Sequence, residues 1–417
     1  MNGFSLYLHI PYCFHRCPYC DFNTYAVSKV PEKEYTEALL AELDYWATTP
    51  EWRGRPVNTI YFGGGTPSLF SSPAIRKVLV AITRLFPIND KAEISLEANP
   101  GSVTIDSLTG YREAGVNRIS FGSQSFNMST LKQLGRMHAP EQTCASVENA
   151  RSAGFSNISL DMIYAVPEQT VSDLRRDLEQ TLALEPAHVS AYGLTIEKGT
   201  PFYTRFKSGS LILPDDDVIL EMMRELDDCL DRHGLKRYEI SNYATEGREA
   251  RHNLAYWNGD DYLGLGAGAH SFYRSSKASA SRWSNFALPE KYMKQTVASG
   301  RAQSWQDKLD QHDLMFEFFF LGLRKAAGIS GRDFAQRFGI DMFEVFTLPI
   351  EAMTERELLR LEGDVLCLTA KGLPLADSVI ENFLHSSDRL KKSIRKPQQP
   401  LAKQGEPAAS TDEILSA

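Results

Sequence analysis

Three of the six cysteines fall within eight residues, in the stretch His9-Ile10-Pro11-Tyr12-Cys13-Phe14-His15-Arg16-Cys17-Pro18-Tyr19-Cys20-Asp21-Phe22. The C-x3-C-x2-C spacing sets three thiolates on one tight loop, and thiolates are the usual ligands of iron–sulfur clusters. Cys13, Cys17 and Cys20 can hold three irons of a cubane [4Fe–4S] cluster and leave the fourth iron open to a small molecule. Zinc is the competing reading, since structural zinc sites close with four ligands, commonly from paired C-x2-C elements. Only one such pair exists here, although His9 or His15 could complete a set. Cys144, Cys229 and Cys367 lie apart in apolar surroundings and read as inert core thiols.

The elements that must position this loop alternate along the chain. Strand-like runs at 4–10, 57–62, 93–97, 118–121, 157–163 and 188–192 are separated by amphipathic helical patterns near 32–48, 73–86, 104–114, 127–134 with 140–153, 171–184 and 215–233. Six β/α units in order predict an α/β fold with a parallel sheet and right-handed crossovers. Six rather than eight units suggest a partial (β/α)6 barrel, with a flat doubly wound sheet as the alternative. Either architecture binds ligands at the C-terminal ends of its strands. Polar or glycine residues stand at each of those ends: the cysteine loop, Gly63-Gly64-Gly65-Thr66-Pro67, Glu97 and Asn99, Gly122-Ser123-Gln124, Asp161 and Tyr164, and Tyr192-Gly193 with Thr195.

From about 236 the pattern changes. Tyr238–Tyr243 reads as a strand, followed by Arg251-His252-Asn253-Leu254-Ala255-Tyr256-Trp257 and the glycine-rich Tyr262–Ser271. Alternating glycines let a backbone approach a flat ligand or another chain closely. They lack the G-x-G-x-x-G spacing of a dinucleotide site. An apolar helix near 314–323, a capped helix start at 329–334 and a strand pair turning at Gly363-Asp364 suggest a small winged-helix-like α+β domain. The expected organisation is 1–240 barrel, 241–304 barrel extension, 305–387 C-terminal domain and 388–417 disordered polar tail.

A net charge of −8 in 417 residues offers no global basic field, and the C-terminal unit shows no basic recognition helix, so nucleic acid is not expected as a partner. No signal peptide and no membrane-length apolar run stand out, so the expected location is the cytoplasm. Clustered cysteines there read as a metal site and not as a disulfide framework.

The cysteine motif ahead of six β/α units resembles the radical S-adenosylmethionine (SAM) superfamily. Tyr7-Leu8-His9-Ile10-Pro11, Gly63-Gly64-Gly65-Thr66-Pro67, Ser120-Phe121-Gly122-Ser123-Gln124-Ser125-Phe126 and Asp161-Met162-Ile163-Tyr164 resemble the oxygen-independent coproporphyrinogen III oxidase family. The resemblance covers about 4–385 and implies SAM chelated to the open iron, cleaved to a 5′-deoxyadenosyl radical by one electron from an external donor. It further implies that Gly64, Gly65 and Thr66 meet the methionine end, and that Glu97 pairs with its ammonium or with ribose hydroxyls. Gln124, Arg136 and Asp161 would hold ribose and carboxylate, and Tyr7 and Tyr19 would pack near the cluster and adenine. A purely structural Glu97–Arg136 ion pair is the competing reading.

Two features depart from the decarboxylating members. Those carry a further cysteine two residues after the third, where this chain has Phe22, and a long extension before the cluster, where this chain has its first cysteine at residue 13. Both departures, with His252-Asn253-Leu254-Ala255-Tyr256-Trp257, resemble the HemW subfamily of haem chaperones. That likeness implies haem binding and transfer to an acceptor protein, without coproporphyrinogen oxidase activity, and with peripheral membrane association left open. His252 is then the first candidate haem ligand and His270 the second, and no C-x-x-C-H covalent attachment motif is present.

Overall fold

The computed structural model describes residues 3–384, so the 388–417 tail lies outside the described residues. Alternation builds the sheet. In β1 (Phe4–Ile10), Phe4, Leu6, Leu8 and Ile10 enter the apolar core, while Ser5, Tyr7 and His9 point to the opposite face. The same two-residue period runs through β2 (Val57–Gly64), β3 (Ile88–Ala98), β4 (Arg118–Gln124), β5 (Ile158–Tyr164) and β6 (His188–Gly193). All six pair in parallel and in chain order. Without a reversal of strand order, right-handed crossovers stack every helix on one face. The result is the partial barrel expected from the sequence and not a doubly wound sheet, whose order reverses at a switch point.

The helices begin and end where local chemistry dictates. Ser71 and Pro73 open the helix Ser72–Leu85, the Ser71 hydroxyl accepting from the Ala74 N–H. Thr104 and Ser107 form a capping box for Ile105–Ala114, which Gly115 ends at φ +113°. The helix α1 itself (Glu32–Thr48) packs Leu39, Leu43 and Trp46 against the outer face of the sheet.

Beyond residue 240 the same sheet continues on both edges. Tyr262–Leu265 adds to β1 in parallel, and His270–Ser276, Ser279–Asn285 and Gln303–Asp310 follow antiparallel, while Asn242–Ala244 borders β6. The strand expected over Tyr238–Tyr243 is interrupted. The Glu239 carboxylate accepts from the Ser241 N–H at 2.9 Å, and this local turn displaces ladder pairing until Asn242. The close approach expected of the glycine run occurs, and the neighbour is the chain's own backbone. A Cβ on Gly264 would lie 2.0 Å from the His270 oxygen, and one on Gly266 2.4 Å from the His9 oxygen. Cys229 and Cys367 are buried as expected, whereas Cys144 is only half-buried.

The C-terminal part combines helices Gln311–Gly322 and Gly331–Phe338 with the hairpin Leu359–Glu362 and Val365–Leu368. Ile329–Ser330 completes a three-stranded sheet, and two helices not expected from the sequence, Met342–Val345 and Thr347–Glu355, lie between. Phe319, Phe334, Phe346 and Phe383 form its core, which also takes in Phe272 and Ala280 of the large sheet.

Candidate functional site

The cysteine loop leaves β1 at Ile10 and is closed by pairing of Tyr12–Cys13 with Tyr25–Ala26. The turn after β2 tucks beneath it, the Gly65 N–H donating to the Ile10 oxygen at 2.8 Å and the Thr66 N–H to the Tyr12 oxygen at 2.9 Å. This contact demands glycine, because a Cβ at Gly65 would stand 2.7 Å from the Tyr12 oxygen. Gly64, at φ +113°, lies against the His9 ring for the same reason.

All three thiols are half-buried and in no disulfide. An arc of hydrogen bonds joins two of them. The Thr66 hydroxyl donates to Cys13 Sγ at 3.4 Å, and the Asn99 amide donates to Thr66 Oγ1 at 3.0 Å. Arg136 then donates to Asn99 Oδ1 and, at 3.7 Å, to Cys17 Sγ. Burial pushes the Cys13 and Cys20 thiols up. Deprotonating buried thiols together requires a positive partner such as bound metal. His9 is not free to complete a zinc set: its Nδ1 lies 2.9 Å from the Tyr7 hydroxyl and its Nε2 2.9 Å from the Asn23 oxygen. Among the described residues no three His, Cys, Asp or Glu side chains converge on one ion. A cubane, which spreads its thiolates over separate irons, suits this loop better than a single ion.

The inner face of the barrel is polar at matching heights. Tyr7 is in register with Tyr61, Tyr61 with Ser95, and Glu97 with Ser120. The Tyr61 hydroxyl donates to Glu97 Oε1 at 2.7 Å and the Gly64 N–H to Oε2 at 3.2 Å. Burial, reinforced by the nearby Asp161 charge, pushes the Glu97 carboxyl up to about 7. Ser120 donates to both Asp161 oxygens, at 2.9 and 3.0 Å, and burial raises the Asp161 carboxyl too. Gln124 ends β4 with φ +62°, a strained conformation for a residue with a Cβ. Arg136 meets Asn99 and the Gly122 oxygen, not Glu97, so the structural ion pair does not form. Its Nε is buried without a hydrogen-bond partner, a donor left for a ligand. Tyr19 packs on Phe202 at 6.3 Å, apart from Tyr7, whose ring faces Tyr61. The unpartnered Arg136 Nε, the glycine turn and the half-buried thiols fit a [4Fe–4S] cluster with SAM.

His252 lies on the short helix Arg251–Trp257, against the inner face of the sheet near Thr59 and Tyr61. The Glu93 carboxylate caps this helix, accepting from the Arg251 and His252 N–H groups at 3.1 Å each. The imidazole is buried, with Nδ1 2.7 Å from the Thr59 hydroxyl and Nε2 3.0 Å from the Tyr256 hydroxyl. Its ring stacks on Tyr61 at 4.9 Å. Burial, together with the Arg118 charge, pushes its pKa down to about 3. His270 instead stands exposed on the rim of a cavity of about 420 Å³ shared with Tyr7, Phe22, Glu97, Tyr256 and Tyr262. Tyr61 escaped the sequence reading, whereas Asn99 was placed at a ligand-binding strand end without a role. Tyr61 lies two residues before Gly63 on an alternating strand, and that period was the available signal.

The Radical SAM superfamily model matches residues 7–181 and the HemN C-terminal domain model residues 309–375. The Heme chaperone HemW of Bacillus subtilis (strain 168) is 36% identical over 382 residues, 91% of this chain and 99% of that protein. The Heme chaperone HemW of Escherichia coli (strain K12) is 36% identical over 381 residues, 91% and 98% of the two chains. The structure of the Escherichia coli coproporphyrinogen III oxidase HemN is similar with a TM-score of 0.79 at 23% identity, covering 92% of this chain and 90% of that one. That likeness establishes a shared fold. By identity along nearly the whole length of its relatives, the chain belongs to the HemW family within the radical SAM superfamily.

Proposed function

We propose that this protein is a haem chaperone, binding haem beside a [4Fe–4S] cluster and SAM and passing it to an acceptor protein. The observation that carries this reading is the cavity next to the cysteine loop, walled by Tyr7, Phe22, Tyr256 and Tyr262. Aromatic walls suit a flat macrocycle, and the relatives named heme chaperones support the same cargo.

When bound, the cluster offers an open iron and one electron, supplied by an external donor. The chain's own residues hold and orient. Cys13, Cys17 and Cys20 ligate the cluster. The N–H groups of Gly64, Gly65 and Thr66 are already engaged, so the turn meets the methionine ammonium through its carbonyl oxygens, with Glu97 as counter-charge. Arg136 offers its unpartnered Nε to the carboxylate, and Gln124 and Asp161 accept ribose hydroxyls. Tyr7 and Tyr19 flank the cluster and the adenine. Among the described residues no helix is long and apolar enough to cross a membrane. We infer a cytoplasmic location, from which the protein would meet any membrane-bound acceptor at that acceptor's surface.

Anaerobic reconstitution followed by haem titration, with and without SAM, tests the proposal. One haem per chain is expected, with transfer to apo-acceptor; absence of stoichiometric haem binding to cluster-loaded protein would overturn it. The alternative, oxidative decarboxylation of coproporphyrinogen III, predicts protoporphyrinogen under reducing anaerobic conditions. None is expected.

A further inference from the structure

Resting on the haem reading above, we propose that His270 supplies the imidazole that binds haem iron, and that His252 is a positioning residue acting through Tyr256.

Two histidines border the aromatic cavity, His9 and His270. Both His9 nitrogens are tied, to Tyr7 and to Asn23. His270 is exposed, and among the described residues no hydrogen bond holds either of its ring nitrogens; its ring lies 6.3 Å from Trp305. It opens the strand His270–Ser276 directly after the tight Gly266–Gly268 turn, so a strand paired on both sides holds it at the cavity. Iron needs a neutral imidazole with a free lone pair, and His270 is the cavity histidine that offers one.

His252 is placed differently. Thr59 and Tyr256 occupy its two nitrogens, and Tyr61 covers its ring. Binding iron there would mean giving up one of those hydrogen bonds, leaving the stack and drawing the macrocycle beneath Tyr7. Its reach toward the ligand runs instead through Tyr256, one helical turn on, whose ring stands edge-on to it at 5.0 Å and lines the cavity. Losing His252 therefore loosens one wall of the pocket without removing the iron ligand.

The test is haem titration of the full-length, cluster-loaded protein under anaerobic conditions, read by Soret absorption and by electron paramagnetic resonance or resonance Raman signatures of the axial ligand. His270→Ala should lose the imidazole signature and bind haem at least about tenfold more weakly, with added imidazole restoring the signature. His252→Ala should weaken binding yet keep the signature. His252→Gln, which retains hydrogen-bonding capacity, provides a milder variant, and thermal melting with cluster absorbance reports folding in each. The assignment falls if His270→Ala keeps the wild-type spectrum, or if folded His252→Gln loses the imidazole signature. Wild-type protein that takes up no haem would instead overturn the haem reading, and the assignment with it.

Discussion

Glu97 is held where burial opposes its charge, with Tyr61 and Gly64 donating to its two oxygens. With the carboxyl raised to about 7, it is largely protonated on the acid side of that value and ionised above it. An ammonium needs the ionised form. SAM binding should therefore weaken as pH falls through about 7, and Glu97→Gln should flatten that dependence while weakening binding by roughly tenfold or more, the usual worth of a hydrogen bond to a charged group. Calorimetric titration across this range is the check, and a flat wild-type profile would speak against an ammonium at Glu97. The cysteines, the glycine turn and Glu97 were legible because their chemistry is local in the sequence. The setting of His252 was not. Its motif looks like a ligand's, while the Thr59 contact that ties one nitrogen comes from 193 residues away. The left-handed backbone of Gln124 also leaves no mark in residue type.

At the scale of elements, α1 carries a carboxylate into the core. Glu42 is fully buried and accepts from the Gly266 N–H at 3.0 Å, the Asn285 amide at 2.7 Å and the Tyr292 hydroxyl at 2.7 Å. It fastens α1 to the glycine turn beyond Leu265 and to the helix Pro289–Ser299. Glu42→Ala would strand three buried donors, so a loss of about 3 kcal/mol is expected, measured by chemical denaturation. A change within about 0.5 kcal/mol, typical of surface sites, would show the network to be incidental. Most strands and helices of the barrel were readable to within a residue or two, because capping residues and clear periods mark them. The segments Met342–Val345 and Pro201–Lys207 were missed, being too short to display a helical period.

For the molecule as a whole, the large sheet and the C-terminal helices share a core. Phe272 on the sheet lies in one apolar cluster with Leu314, Phe319 and Phe334. Phe272→Ala should cost about 3–5 kcal/mol and lower a single cooperative unfolding transition. Calorimetry showing two transitions, with only one displaced, would mean that the parts unfold separately. The order of the six central strands followed from the β/α alternation. The extension to twelve strands did not, because Tyr262–Leu265 finds its partner in β1, at the far end of the sequence, and such pairing is fixed only by the assembled core.

The short helix carrying His252 has a further consequence. Capped by Glu93, and with the His252 ring stacked on Tyr61, it covers the inner face of the sheet and sets Tyr256 in the cavity wall. Gly64 and Glu97 line the same cavity as Phe22 and His270, so cofactor and cargo meet in one space. Whichever is seated first stands in the path of the other, so delivery becomes a matter of queueing order, set by which molecule leaves last, as much as of how tightly each is held.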